Sequence, residues 1–246
     1  MRRFLLAFLG LGALLSMGVT RANGLQVAPT SLGLSAKAPA AELWLSHTQQ
    51  GDLSQPLQAQ VRVFQWTQVD GQDRLVPTQA LVVTPPFVTL TTHAPQLVRV
   101  IQAPGVQASS PTTETSYRLI VDELPSATAS KQGGLAFVMH YSIPVFVAPE
   151  HPAVSFHAQD LAFAWIRSGD KTQLKVTNPS SFHAQLVQVQ VEDGPYAGKT
   201  LGQGLLGYVL AGKTMAFDVD LPWKDRDRTH QLRLRINGHE ENVIVH

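Results

Sequence analysis

Apolar and polar residues alternate with a period of two along most of the chain after residue 23. Runs such as LQAQVRVFQWTQ, QLVRVIQA and SYRLIVDEL place apolar side chains at every second position, which is typical of strands with one buried face. Clusters rich in Gly, Pro, Asp and Ser, among them VDGQDR and QAPGVQASSPTT, separate these runs. No long apolar stripe with helical spacing is present after residue 23. The pattern predicts an all-β protein in which many short strands form sandwiches.

One alternating run, GGLAFVMHYSIPVFVAP at residues 133–149, is much longer than the others. Strands have a most common length of roughly 5–6 residues, so this run predicts a strand that needs a partner on each side. One face of this strand would be large and apolar throughout, and the opposite face would be smaller and mixed in polarity. Two interpretations stay open on pattern alone: plain core, or an edge that another protein completes by strand addition. The large apolar face consists of Leu135, Phe137, Met139, Tyr141, Ile143, Val145 and Val147.

Proline-containing segments divide the chain. Two prolines follow Thr84, and because proline donates no hydrogen bond to a ladder, they predict a bend where a strand leaves one sheet for the other. VAPEHPAV reads as a short stiff linker after the long run. A second set of alternating runs follows it and includes Asn237-Gly238, a strong hairpin signal. We therefore expect two sandwich domains, at residues 25–147 and 154–246.

The first 22 residues have the pattern of a secretory signal peptide. Arg2 and Arg3 precede an apolar stretch at residues 4–15 that is short for a bilayer span, and Ala22 follows Thr20 at a small-x-small position. We expect cleavage after Ala22 and no membrane insertion afterwards. An uncleaved N-terminal anchor is the alternative.

Charge and cysteine content narrow the function classes. The predicted leader carries three of the 19 Lys and Arg residues, so the mature chain has 16 basic and 18 acidic residues. It lacks the clustered basic residues that nucleic-acid binding needs, and no nucleic-acid partner is expected. The absence of cysteine excludes disulfides, thiolate metal sites and cysteine nucleophiles, so ordinary core burial must stabilise the protein.

Motifs for enzymatic chemistry are weak. GQGLLG at residues 202–207 matches G-x-G-x-x-G, but strand and turn follow it where a dinucleotide site requires a helix. The nine histidines show no paired metal spacing, and no G-x-S-x-G elbow is present. We expect no enzymatic activity, no catalytic residues, no cofactor and no metal. A secreted hydrolase or lectin has no motif in its favour.

The segments QVRVFQWTQVDGQDRLVPTQALVVTPPFVTL, QLVRVIQA, ETSYRLIVDELP and YSIPVFVAP resemble, in order and spacing, the first domain of the PapD-like periplasmic pilus-assembly chaperones. The resemblance covers nearly all of residues 25–149, whereas the second half is similar only in outline. YSIPVFVAP and the lack of cysteine are similar to the archaic chaperone–usher branch. The resemblance implies an all-β fold of two immunoglobulin-like domains in an L or boomerang arrangement.

The same resemblance implies a function in the periplasm. Such a chaperone lends its G1 strand to an incomplete pilin subunit, which is donor-strand complementation, and delivers the subunit to an outer-membrane usher. Residues 134–142 match the donor strand. Leu135, Phe137 and Met139 fall on the positions that enter the subunit groove, and Tyr141 is a fourth. Burial of each large side chain contributes roughly 1.5–3 kcal/mol before ordering costs.

The chain departs from the family pattern at the subunit anchor. Many members hold the subunit's C-terminal carboxylate with an Arg on the first strand and a Lys near the end of G1, and the matching places here are about Ser31 and Pro144. Arg118 is our candidate instead, because an antiparallel hairpin would place it near the end of G1. A solvated or salt-bridged surface role for Arg118 is the alternative. Arg62 and Arg99 are ordinary outward-facing strand positions and weaker candidates.

Two further expectations follow from the exposed donor row. The free protein is expected to hide this row by self-association or by a folded-back loop. The alternative function is that of a secreted two-domain β-sandwich adhesion or structural protein without chaperone activity. Such a protein would keep the row in its own core.

Overall fold

The computed structural model describes residues 24–48, 56–91, 94–106, 110, 112–125, 138–202, 204–228 and 230–246. Within these residues the only helical segments are 3-10 turns at Ala158–Asp160, Gly194–Tyr196 and Trp223–Arg228. All other regular structure is β. The predicted fold class is confirmed.

The first sandwich contains ten strands in two sheets. One sheet has the order β1-β3-β8-β6, and the other has the order β2-β10-β9-β4-β5, with β7 also paired to β4. The core between them is formed by the alternating apolar positions of both sheets, including Leu43, Val98, Leu119 and Val145. The strands are β1 (Gly24–Ala28), β2 (Leu32–Leu34), β3 (Ala40–Thr48), β4 (Leu57–Val69), β5 (Gln72–Pro77), β6 (Leu81–Thr84), β7 (Phe87–Leu90), β8 (Gln96–Gln102), β9 (Thr115–Leu124) and β10 (His140–Val147).

The chain changes sheet between β6 and β7. β6 pairs with β8 in the four-stranded sheet, and β7 pairs with β4 in the six-stranded sheet. The two prolines after Thr84 lie between them, and the Thr84-Pro85 bond is cis. The Pro86 carbonyl accepts a hydrogen bond from the Val61 N–H at 2.8 Å. The predicted crossing is confirmed.

The second sandwich is built from seven strands around a separate core that includes Leu174, Leu186 and Leu232. Its sheets have the orders β11-β12-β15 and β14-β13-β16-β17. Asn237 (φ 48°) and Gly238 (φ 86°) form the tight turn between β16 and β17, as predicted. The strands are β11 (Ala162–Ser168), β12 (Lys171–Thr177), β13 (Ala184–Val191), β14 (Leu205–Val209), β15 (Thr214–Val219), β16 (Gln231–Ile236) and β17 (His239–Ile244).

The GQGLLG segment leads into β14, and its last glycine has a packing explanation. A Cβ on Gly207 would lie 2.4 Å from a ring carbon of Phe217 on β15. No larger residue fits there unless the phenylalanine moves. Leu205 to Gly207 belong to β14, and no helix opens on them, as the sequence predicted.

Side chains from both sandwiches meet in a small aromatic cluster. Trp66 and Phe146 of the first pack with Tyr208 and Leu210 of the second. Gln68 is 3% exposed; its amide nitrogen donates to the Tyr208 carbonyl at 2.8 Å, and its oxygen accepts from the Leu210 N–H at 2.9 Å. A buried amide with both ends satisfied joins the sandwiches at this point.

Candidate functional site

The two halves of β10 have different neighbours. Val145, Phe146 and Val147 pair with β9 on one side and with β2, in parallel, on the other. Residues 140–144 pair with β9 alone, and no other strand of the described chain lies along their second edge. The first half of β10 is therefore an open sheet edge.

Hydrogen bonds at the two ends of β10 show which main-chain groups face this edge. The Met139 carbonyl accepts from the Glu123 N–H of β9 at 2.9 Å, whereas the Ala148 N–H donates to the carbonyl of Leu34, the last residue of β2, at 2.9 Å. Successive residues of a strand point their N–H groups to opposite sides. The N–H groups of His140 and Ser142 therefore point away from β9, towards the open edge.

Pro144 lies at the same kind of position as His140 and Ser142. Its nitrogen faces the side occupied by β2 further along the strand, so the missing N–H removes no bond to β9. The open edge consequently offers main-chain donors at two residues and then a residue without one.

One row of β10 side chains passes from the core to solvent. Val145 and Ile143 are buried in the core of the first sandwich, and Tyr141 is half-buried against it. The Tyr141 hydroxyl donates to the Leu25 carbonyl on β1 at 2.6 Å. Met139 is 40% exposed. Of the predicted donor residues, Leu135 and Phe137 lie outside the described part of the chain.

Arg118 lies opposite Pro144 in the β9–β10 ladder, as the predicted hairpin required. Its guanidinium carbon is 3.7 Å from the ring centroid of Trp66 and 5.4 Å from that of Tyr208. One of its nitrogens donates to the Ser142 carbonyl at 3.4 Å. Burial lowers the pKa of Arg118, and the opposing electrostatic effects of Asp73 and Tyr208 do not cancel this shift, so the net pKa is lowered. The group stays charged because arginine is not deprotonated in proteins.

The other arginines considered have different surroundings. Arg62 forms an ion pair with Asp122 at 2.6 Å, and the same carboxylate contacts His140 Nδ1 at 2.6 Å. Desolvation raises the pKa of Asp122, but the hydrogen bonds and charges of Arg62 and His140 outweigh it, so the net pKa is lowered. Arg99 is exposed and lies opposite Glu42 in the β3–β8 ladder. Among the described residues, no carboxylate forms an ion pair with Arg118, although Asp73 is close enough to oppose the lowering of its pKa.

Sequence reasoning missed the residues that hold Arg118 in place. Trp66 is 2% exposed, although its strand parity puts it on the outer face of the six-stranded sheet. Its indole nitrogen donates to Asp73 at 2.9 Å. An outward-facing tryptophan is unusual enough to have been a signal, but its partner Tyr208 lies 142 positions further along the chain.

The described residues show two further properties. They contain no group of three or more His, Asp or Glu side chains placed to hold a metal ion. Among them, no helix has the length and apolar content needed to cross a bilayer.

The family model described as pili and flagellar-assembly chaperone, PapD N-terminal domain, matches residues 24–153. The chain belongs to this family. The resemblance inferred from the sequence is thereby confirmed, and the candidate site lies within the matched domain of a pilus-assembly chaperone. No curated protein sequence matches the chain at a significant level.

Solved chaperone structures share the fold over both sandwiches. A chain of the chaperone–tip adhesion subunit complex CsuC–CsuE, from archaic Csu pili of Acinetobacter baumannii, is 22% identical, with 90% of this chain and 97% of that chain covered and a TM-score of 0.66. A chain of the Salmonella enterica SafA pilin–SafB chaperone complex is 18% identical, with 92% of this chain and 98% of that chain covered and a TM-score of 0.62. The Pseudomonas aeruginosa CupB2 chaperone is 16% identical, with 90% of this chain and 100% of that chain covered and a TM-score of 0.61. At these levels of sequence identity, the structural similarity supports the assignment of the fold.

Proposed function

We propose that this chain is a periplasmic chaperone that binds pilin subunits by donor-strand complementation and delivers them to an outer-membrane usher. The observation that carries the proposal is the first half of β10, which has an open main-chain edge beside an apolar row that continues the core. The signal-peptide pattern of residues 1–22 supports the periplasmic location. We also assign the chain to the archaic branch, on YSIPVFVAP and the absence of cysteine.

The binding step follows from strand addition. A subunit strand that approaches the open edge can accept hydrogen bonds from the N–H groups of His140 and Ser142, which fixes the register. Met139, with Leu135 and Phe137 before it, then enters the subunit's apolar groove. The pairing ends near Pro144, because β2 occupies the edge from Val145 onwards. Main-chain pairing and apolar burial suffice, and the chain needs no covalent chemistry or nucleotide for this step.

We assign to Arg118 the role of binding the subunit's C-terminal carboxylate. Arg118 pairs with Pro144, at the end of the open edge, and its guanidinium contacts the Ser142 carbonyl there. No described carboxylate forms an ion pair with it. A charge-assisted pair with a carboxylate is stronger than a neutral hydrogen bond and adds geometric specificity when it is bidentate. The anchor and the apolar row lie on opposite faces of β10.

Coexpression with a pilin subunit from the same operon tests the proposal. Met139→Asp and Phe137→Asp place a charge in the apolar row and are expected to abolish recovery of the subunit. Val138→Asp is the matched control, since Val138 is also exposed (50%) but belongs to the opposite face. Equal recovery with wild type and with both row variants contradicts strand lending through this row.

The alternative function, a two-sandwich structural or adhesion protein, keeps the whole of β10 in its own core. It requires strong protection of the His140 and Ser142 amides from hydrogen exchange in the free protein. The chaperone proposal requires weak protection unless the free protein self-associates. Sedimentation equilibrium over a range of concentrations tests this last part, because a constant monomer mass contradicts self-association.

A further inference from the structure

Arg118 and Arg62 both face outward on the six-stranded sheet, but different groups hold them. Arg62 is neutralised by Asp122 at 2.6 Å. Arg118 instead has its guanidinium carbon 3.7 Å from the centroid of the Trp66 ring. This is van der Waals stacking distance, so the indole face supports the charge without occupying the donors at the guanidinium's edge.

Trp66 is itself fixed from two directions. Its indole nitrogen donates to the Asp73 carboxylate at 2.9 Å, and the same carboxylate oxygen accepts from the Gln68 amide at 2.9 Å. Tyr208 of the second sandwich packs edge-on against the indole, with centroids 5.5 Å apart and an interplanar angle of 82°. The β4–β5 hairpin and the second sandwich therefore hold the plane on which Arg118 rests.

A free arginine side chain samples many rotamers and must give them up when it binds a carboxylate. An arginine stacked on a fixed ring has given up much of this freedom before binding. Its N–H groups lie in the guanidinium plane, at the edge of the stack. In Arg118 one nitrogen donates to the Ser142 carbonyl over a long 3.4 Å, and the described residues give the guanidinium no further hydrogen bond, which suits a bidentate carboxylate. When the ring is removed, the side chain regains this rotamer freedom and must give it up again on binding, so the entropic advantage is lost although the charge remains.

We propose that Trp66 is a positioning residue for subunit binding: its indole, held by Asp73 and Tyr208, presents the Arg118 guanidinium to the C-terminal carboxylate of the pilin. This inference rests on the proposed function and deepens it. It also gives the second sandwich a part in subunit binding, through Tyr208, although the donor strand belongs to the first.

The test measures how strongly the chaperone prefers a free carboxylate. One pilin subunit from the same operon is prepared by ligation with either a C-terminal carboxylate or a C-terminal amide, and the ratio of the two dissociation constants is measured. We expect a ratio of about ten or more for the wild type, as a charge-assisted bond implies. Trp66→Leu is expected to lower it about three- to tenfold. Trp66→Phe keeps an aromatic face and restores most of it.

Trp44→Leu is the matched control, because Trp44 is an exposed tryptophan on the other sheet (43%) and its variant should leave the ratio unchanged. If Arg118→Ala leaves the ratio at the wild-type value, the anchor in the proposed function is wrong. If Arg118→Ala abolishes the preference but Trp66→Leu does not lower it, the positioning role alone is wrong. Equal weakening of both subunit forms by Trp66→Leu indicates a merely structural role and also overturns the inference.

Discussion

One row of apolar side chains runs through both halves of β10, but the two halves have different surroundings. In the second half, Val145 and Val147 are fully buried, and β9 and β2 pair on both sides. In the first half, Tyr141 is half-buried, no strand of the described chain pairs with the second edge, and Met139, directly before the strand, is 40% exposed. The difference comes from β2, a strand of three residues that covers only the second half.

In the proposed function, β10 and the residues directly before it contribute to two cores, that of the chaperone and that of the subunit. A row of apolar side chains gives the same local signal along its whole length, and the neighbouring strands decide which part each core takes. The part of β10 that pairs with β2 contributes Val145 and Val147 to the protein's own core. In the proposed function, the open part pairs with a strand that the partner brings. The following substitutions separate the two halves.

The largest expected effect is the contrast in stability between Val145→Asp and Met139→Asp. Val145 is fully buried, so an aspartate there buries an unpaired polar group and lowers the free energy of unfolding by about 4 kcal/mol or more. Met139→Asp is expected to change it by less than about 0.5 kcal/mol. Urea unfolding of both variants measures this. A large loss in Met139→Asp would show that this residue belongs to the protein's own core.

The next effect concerns subunit affinity. Arg118→Ala is expected to weaken binding of a pilin subunit by about 1.5–3 kcal/mol, the range for hydrogen bonds to charged groups. Arg62→Ala is the matched control, because Arg62 already has Asp122 as its partner. The loss in Arg118→Ala should not add to the loss caused by removing the subunit's terminal residue. Isothermal titration of the wild type and of Arg118→Ala, each with the full-length and the shortened subunit, checks this. Full additivity of the two losses counts against the anchor.

A smaller effect is expected at the boundary between the halves. Tyr141→Phe removes the hydroxyl that donates to the Leu25 carbonyl at 2.6 Å and leaves that acceptor without this bond. We expect a loss of about 1 kcal/mol in the free energy of unfolding, with the ring still packed. Thermal or urea unfolding measures it. No loss would mean that water replaces the tyrosine at no cost.

The smallest effect depends on pH. The pKa of Asp122 is lowered in the folded protein, so the charged carboxylate stabilises the fold above the unfolded-state pKa of about 3.9. This contribution is lost as the pH falls through the lower folded-state pKa. Asp122→Asn should therefore cost a few tenths of a kcal/mol at pH 7 and close to nothing well below pH 3. Unfolding at both pH values checks the sign, and an equal cost at both contradicts it.

Most strands of the fold could be predicted, because alternation, proline and Asn-Gly turns are local signals. The crossing after Thr84 and the antiparallel pairing that places Arg118 opposite Pro144 were both predicted correctly. The position of the open edge could not be predicted, since it depends on how far the short strand β2 reaches. The support of Arg118 by Trp66 was also missed, because its geometry depends on Tyr208 in the other sandwich.

The most direct test of the central claim is amide hydrogen exchange in the free chaperone monomer and in its complex with a pilin subunit. We predict that the His140 and Ser142 amides exchange rapidly in the free monomer and become protected in the complex. The Ala148 amide, which is bonded to Leu34 at 2.9 Å, should be protected in both. Strong protection of His140 and Ser142 in the free monomer, or no change when the subunit binds, would contradict strand lending by β10.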